Sequence, residues 1–242
     1  MNFTYPGGHK AIKGMNFCIH HGESVGIVGA NGAGKSTLLM LIMGILFPTQ
    51  GQVLVGDVKV TQNTLPMIRQ RLGMVFQDPD DQLFMTTVYD DVAFGPRNYK
   101  LDESEVENRV IEALEMVGIP HLKERAPFKL SGGEKRTAAI ATVLSMQPDV
   151  LIMDEPTSSL DPKSRRRVMS ILKSFDHTKI ITSHDLDMVF ELCNRIIVIK
   201  DGKIAADGAA STILVDSKLM DQCGLEIPLS LQNCPLCGGK KG

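Results

Sequence analysis

Short apolar runs alternate along this chain with longer stretches whose apolar positions recur at helical spacing. Residues 24–28, 72–76, 150–153, 180–182 and 196–199 are short, aliphatic or β-branched, and bounded by turn formers. That pattern predicts strands buried on both faces. Between them the period changes. Residues 35–46 follow a glycine-rich turn and read as a helix. Over 102–117, Val106, Val110, Leu114 and Val117 share one helical face, with acidic residues in the first turn. Residues 163–175 read as a further helix, rich in Arg and Lys. The alternation predicts an α/β fold, a parallel sheet with helices on its faces. Two other runs, 15–20 and 52–60, read as strands of a small antiparallel sheet, with turns at Gly22-Glu23 and Gly56-Asp57. Asp201-Gly202 is a hairpin turn between 196–200 and 203–206. From Asn233 onward the chain is polar and rich in Gly and Lys, which predicts a poorly ordered tail. No internal repeat is evident.

Composition narrows the function classes. Among 242 residues, 26 basic side chains nearly balance 28 acidic ones, so no basic stripe points to nucleic acid. The N-terminal residues lack the apolar core of a secretory leader. The longest strongly apolar run, 38–47, contains Gly44 and falls well short of the ~20 residues a membrane-spanning helix needs. Any membrane association is therefore expected to go through a partner. The five cysteines are unevenly spread, which fits a reduced cytosolic setting better than a disulfide framework.

One segment carries explicit chemistry. Gly29, Ala30, Asn31, Gly32, Ala33, Gly34, Lys35, Ser36 and Thr37 follow a predicted strand and open a predicted helix. Glycines at these positions let successive backbone N–H groups turn toward one anion, and the helix start adds its positive dipole. This is the phosphate-binding loop pattern. Lys35 is suited to the β- and γ-phosphates of a nucleotide, and Ser36 to Mg²⁺. A second segment, the apolar run 150–153, ends in Asp154 and Glu155. The carboxyl end of a parallel strand is where such sheets bind ligands. There Asp154 is suited to hold Mg²⁺ and Glu155 to act as general base on an attacking water.

Leu130, Ser131, Gly132, Gly133 and Glu134 make the reading specific. Ser131 and Glu134 have capping-box spacing, but a cap alone does not call for the glycine pair. The five residues resemble the signature of ATP-binding-cassette ATPases, with Glu134 in place of the usual Gln. The resemblance extends over nearly the whole chain. It implies a P-loop NTPase cassette: a mostly parallel core sheet, a small antiparallel β subdomain, and a helical subdomain carrying the signature. Residues 1–232 would form the nucleotide-binding domain, with its helical part at about 78–147. Tyr5 stands where the family's adenine-stacking aromatic lies, although the chain begins almost at that aromatic. Gln77 resembles the glutamine that senses Mg²⁺ and the attacking water. Asp161, ending Ser158-Ser-Leu-Asp, resembles the loop that couples two sites. His184, within Thr182-Ser-His-Asp, resembles the switch histidine on the γ-phosphate. The resemblance implies ATP and Mg²⁺ as cofactors and a second cassette as partner. The signature Ser131–Gly133 of one copy would then meet ATP held by the other.

Residues 78–84 (Asp-Pro-Asp-Asp-Gln-Leu-Phe), 87–95 and 225–231 resemble the ATPases of energy-coupling-factor importers, especially the cobalt and nickel branch. That implies an integral membrane transport protein and a substrate-capture protein as partners, at the cytoplasmic face of the membrane. Leu83, Phe84 and Met85 are candidate groove residues for a partner helix. Vitamin importers of the same type, and soluble cassette ATPases, are the alternatives. Cys234 and Cys237 have the spacing of half a structural zinc site, which two tails could complete with Cys223 as an extra ligand.

Overall fold

The structure, a computed structural model, describes residues 1–232. The chain opens with β1 (Phe3–Thr4) and β2 (Lys10–Ile12), an antiparallel pair. β3 (Ser24–Val28), wholly buried, leads through a glycine-rich turn into α1 (Lys35–Ile42). The hairpin β4 (Leu54–Val55) and β5 (Val58–Lys59) comes next, followed by α2 (Leu65–Arg71) and β6 (Leu72–Val75). The helices α3 (Val88–Asn98), α4 (Glu103–Met116) and α5 (Gly132–Leu144) precede β7 (Val150–Asp154) and α6 (Pro162–Ser174). The remaining elements are β8 (Thr178–Thr182), α7 (Leu186–Leu192), β9 (Arg195–Lys200), β10 (Lys203–Ala209), α8 (Ala210–Ile213) and α9 (Ser217–Gln222).

These elements divide into two compact units, Met1–Ile68 with Thr178 onward, and Arg69–His177. In the first unit β3 runs parallel to both β8 and β9, and β10 closes the outer edge antiparallel to β9. The burial patterns follow from these positions. β3 and β8 are buried along their whole length, whereas β10 alternates between exposed and half-buried residues, as an edge strand does. Asp201 and Gly202 take φ of 50° and 79°, so the β9–β10 turn twists with its strands.

In the second unit β6 and β7 pair in parallel, with Leu72 opposite Val150 and Val75 opposite Met153. Here α3, α4 and α5 pack on one another. Val106, Val110, Ala113 and Leu114 form the buried stripe of α4, the face its helical spacing predicts. Among the described residues no helix is long and apolar enough to cross a membrane.

Residues 15–20, expected to form a strand, do not. Their backbone is satisfied differently. The N-terminal ammonium donates to the Met15 carbonyl at 2.6 Å, Met15 N–H donates to the Met1 carbonyl, and Arg195 Nη1 donates to the Cys18 carbonyl at 2.8 Å. The run 52–60 is broken into the short β4–β5 hairpin. The zinc reading of Cys234 and Cys237 lies outside the described residues. Cys223 is buried, and that burial raises its thiol pKa.

Candidate nucleotide site

In the first unit β3 delivers the chain into the loop 29–34, and α1 begins at Lys35. The loop needs its glycines for two different reasons. Gly34 sits at φ 110°, which side chains rarely adopt, and a Cβ at Gly29 would run into the Ile199 carbonyl oxygen. Asn31, Gly32 and Ser36 are exposed, whereas Ala33 and Lys35 are buried. The Lys35 ammonium folds back over the loop, donating to the carbonyls of Gly29 at 2.8 Å and Ala30 at 3.2 Å. It also lies 3.3 Å from His184 Nε2. An ammonium only donates, so Nε2 accepts and the imidazole proton sits on Nδ1.

His184 is held in place from behind. The Ser183 hydroxyl accepts from Asp185 N–H at 3.0 Å, and the Asp185 carboxylate N-caps α7 through Met188 N–H at 2.9 Å. Tyr5 reaches the same helix start: its hydroxyl lies 3.0 Å from Thr37 Oγ1, while its ring meets Phe3 edge-on at 4.9 Å. Tyr5, the loop and His184, separated in sequence, thus converge in one unit.

In the second unit Asp154 ends β7 and Glu155 follows it; they are 8% and 9% exposed. Glu155 takes φ 49°, uncommon for a side-chain-bearing residue and typical of places where the chain must aim one group. Gln77 follows β6, and its carbonyl accepts from Arg136 of α5. Ser131 caps α5. Its backbone N–H and its hydroxyl each donate to Glu134 Oε2 at 2.8 Å, and Glu134 N–H donates back to the hydroxyl at 3.4 Å, completing the capping box. These bonds hold the Glu134 carboxyl below its ordinary value. Beside the cap, Gly132 opens onto empty space. Asp161 caps α6 through the N–H groups of Lys163 and Ser164 and takes the Ser164 hydroxyl at 2.5 Å, which lowers its pKa.

The capping box gives a stability prediction. Glu134→Ala is expected to cost about 1 kcal/mol at neutral pH. A carboxyl whose folded pKa is depressed contributes above its unfolded pKa and loses that contribution as pH falls through its folded pKa. The difference between variant and wild type in chemical unfolding should therefore narrow under acid. A gap unchanged between neutral and acid pH would exclude the charged cap.

Three functional candidates escape sequence reading. Arg136 is 2% exposed, although an arginine one turn into a capped helix reads as a surface residue. Gln82 donates from Nε2 to the Ala139 carbonyl at 2.8 Å and to Thr142 Oγ1 at 2.7 Å, which locks the segment after Gln77 to α5. Asp91 is 3% exposed; its Oδ1 accepts from Phe84 and Met85 N–H at 2.9 and 3.0 Å. Burial pushes its carboxyl up. The only cue to Asp91 is an acid at a helical position otherwise shared with Val88 and Val92.

Asp91 braces one wall of a concavity of about 480 Å³ lined by Phe84, Met85, Thr86, Asp90, Phe94 and Arg97. Phe84 and Phe94 are 63% and 43% exposed and meet edge-to-face at 5.0 Å. Leu83, expected in this groove, is instead buried in the core at 7% exposure. The short helical turn Pro79–Asp81 precedes the pair, with Leu83 buried and Phe84 exposed.

Residues 12–158 match the family described as ABC transporter. A Geobacter sulfurreducens protein provisionally named ABC transporter ATP-binding protein is 61% identical over 97% of this chain and 94% of its own length. The energy-coupling factor transporter ATP-binding protein EcfA of Carboxydothermus hydrogenoformans is 42% identical over 100% of this chain and 90% of its own. Among solved structures, cbiO1 of Clostridium perfringens, part of the ABC transporter complex cbiONQ, superposes with a TM-score of 0.81 at 40% identity, covering 91% of this chain and 90% of that one. The ATP-binding cassette MJ0796, a dimer in a post-hydrolysis state with ADP and Pi, gives 0.78 at 30% identity, covering 86% and 96%.

Proposed function

We infer that this chain, which belongs to the ABC transporter family and is an ATPase of that family, is the ATP-hydrolysing subunit of an energy-coupling-factor type importer at the cytoplasmic face of a membrane. The observation that carries the membrane reading is the aromatic concavity at Phe84 and Phe94, which directly follows the candidate sensor Gln77. Two exposed aromatic rings beside a flexible methionine suit an amphipathic helix of an integral membrane partner. Asp90 and Arg97 at the rim supply charges of both signs to fix its register. The names of EcfA and of the cbiONQ complex support the same reading. The proposed solute is a transition-metal ion such as cobalt or nickel, captured by a further protein.

The proposed chemistry follows the motifs. Tyr5 stacks on the base, the N–H groups of the loop 29–34 and the α1 start bind phosphate, and Lys35 and His184 meet the terminal phosphates. Glu155 draws the proton from the attacking water as its oxygen bonds to the γ-phosphorus and the bridging oxygen leaves with ADP. Ser36, Gln77 and Asp154 each offer a hard oxygen of the kind that suits Mg²⁺, which would neutralise charge on the triphosphate. The α5 start at Ser131 and Gly132, where a side chain would meet nothing among the described residues, is a helix N-terminus of the kind that suits phosphate, which fits ATP carried by a second copy. The dimeric MJ0796 cassette supports that pairing. ATP then acts as a ligand of the closed pair, and hydrolysis relaxes it.

Purification of the tagged chain from its native membranes in mild detergent is the direct test, with every co-purifying polypeptide identified. A stoichiometric integral membrane protein is expected. Recovery of a soluble ATPase alone would move the assignment to the soluble cassette ATPases. Phe84→Ser is expected to lower recovery of the membrane protein about tenfold, as loss of a buried aromatic anchor does. An unchanged unfolding midpoint would show that the fold is intact. Full recovery in that variant would remove the groove from the interface.

A further inference from the structure

The signature helix carries a buried cation that none of its motifs requires. Arg136 Nη1 donates to the Phe76 carbonyl at 2.6 Å, and Nη2 donates to the Gln77 carbonyl. Nε, also buried, has no hydrogen-bond partner among the described residues. Burial disfavours this guanidinium, and the nearby carboxylates of Asp78 and Asp154 act in its favour. An apolar side chain of similar volume would fill the space without that cost, so packing alone does not account for an arginine here. A planar fork meets two successive carbonyls with a separate nitrogen for each and so fixes the peptide plane between them more rigidly than the single ammonium of a lysine would.

The same strip of chain is bound to the same helix at three further points. Lys135 Nζ donates to Asp80 Oδ1 at 2.6 Å, and Gln82 reaches the Ala139 carbonyl and the Thr142 hydroxyl. The Gln82 amide oxygen in turn accepts from Phe76 N–H at 3.2 Å. Residues 76–82 therefore lie pinned along one face of α5, through positions 135, 136, 139 and 142.

We propose that Arg136 is a positioning residue that locks the backbone of Gln77 to the signature helix. Each movement of α5 is then delivered to the glutamine that attends this copy's own nucleotide. One end of the helix answers to ATP on a second copy, and its side sets the place of Gln77. The two sites of a cassette pair are in this way linked through α5, with Arg136 holding the backbone of Gln77 itself. The proposal rests on the role assigned to Gln77 above.

The test uses the full chain carrying Arg136→Lys, which keeps the charge and loses the fork, with Gln77→Ala and the double variant. In the nucleotide-free protein, amides of residues 76–83 in Arg136→Lys should exchange about tenfold faster with deuterium, while those of residues 139–144 and the unfolding midpoint stay as in wild type. In steady-state hydrolysis, kcat should fall about tenfold or more in each single variant, and no further in the double. Unchanged exchange at 76–83, or a double variant in which the two losses multiply, would overturn the proposal. Should Gln77→Ala hydrolyse as wild type, the Gln77 assignment fails and the proposal falls with it, while the exchange experiment still reports separately on the clamp. If Arg136→Lys does not fold, Arg136→Gln, a shorter side chain with one nitrogen in place of the two-nitrogen fork, is read in the same way.

Discussion

Glu155→Gln is expected to reduce ATP turnover by about 100-fold or more while leaving ATP-driven pairing of two copies intact. Glutamine keeps the shape of the side chain and its place after β7, but its amide cannot take a proton. The backbone at residue 155 is left-handed, at φ 49°, and the residue is buried. A carboxylate held in this way loses little geometry on amidation but gives up its ability to take a proton. Phosphate release under saturating ATP measures the first effect; light scattering with and without ATP measures the second. Wild-type turnover in the variant would remove Glu155 from the role of base. Lost turnover together with lost pairing would instead mean that the carboxylate helps hold the closed pair.

Lys35→Ala should weaken ATP binding by about 30- to 100-fold, the ~2–3 kcal/mol of a charge-assisted hydrogen bond. The substitution acts on the loop itself as well. The ammonium that spans the carbonyls of Gly29 and Ala30 disappears, and the loop loses an internal clasp. Titration of a fluorescent ATP analogue gives the affinity directly. Arginine at the same position should not rescue it, because the buried space holds a compact ammonium rather than a planar fork. An affinity within twofold of wild type in Lys35→Ala would mean that the backbone alone grips the phosphates.

The parts of this molecule that could be read in advance are those whose causes are local. Ser24–Val28 is a strand because five buried residues in a row admit little else, and the hairpin at Asp201-Gly202 follows from two residues that tolerate positive φ. The capping box at Ser131 and Glu134 was visible from a spacing of three residues. What failed depends on distant partners. Residues 15–20 have the alternation of a strand, yet their carbonyls are taken by the chain's own ammonium and by Arg195. Arg136 was invisible for the same reason: its acceptors lie about sixty residues upstream, and nothing near it in sequence marks it as buried. Leu83 and Phe84 are neighbours of similar character, and nothing in the pair itself tells which is buried. The candidate site shows the same division. The loop, the acid pair and the signature could be read as motifs, whereas the contacts of Tyr5 with Thr37 and of Lys35 with His184 needed the fold.

The clasp formed by Lys35 over its own loop also ties that loop to a distant part of the chain. Its ammonium meets the carbonyls of Gly29 and Ala30 on one side and His184 on the other. Drawing Lys35 toward an anion would loosen these bonds together, so the loop and residue 184 are expected to respond as one. A substitution at residue 184 should therefore be felt by the backbone of Gly29 and Ala30, far away in sequence as they are.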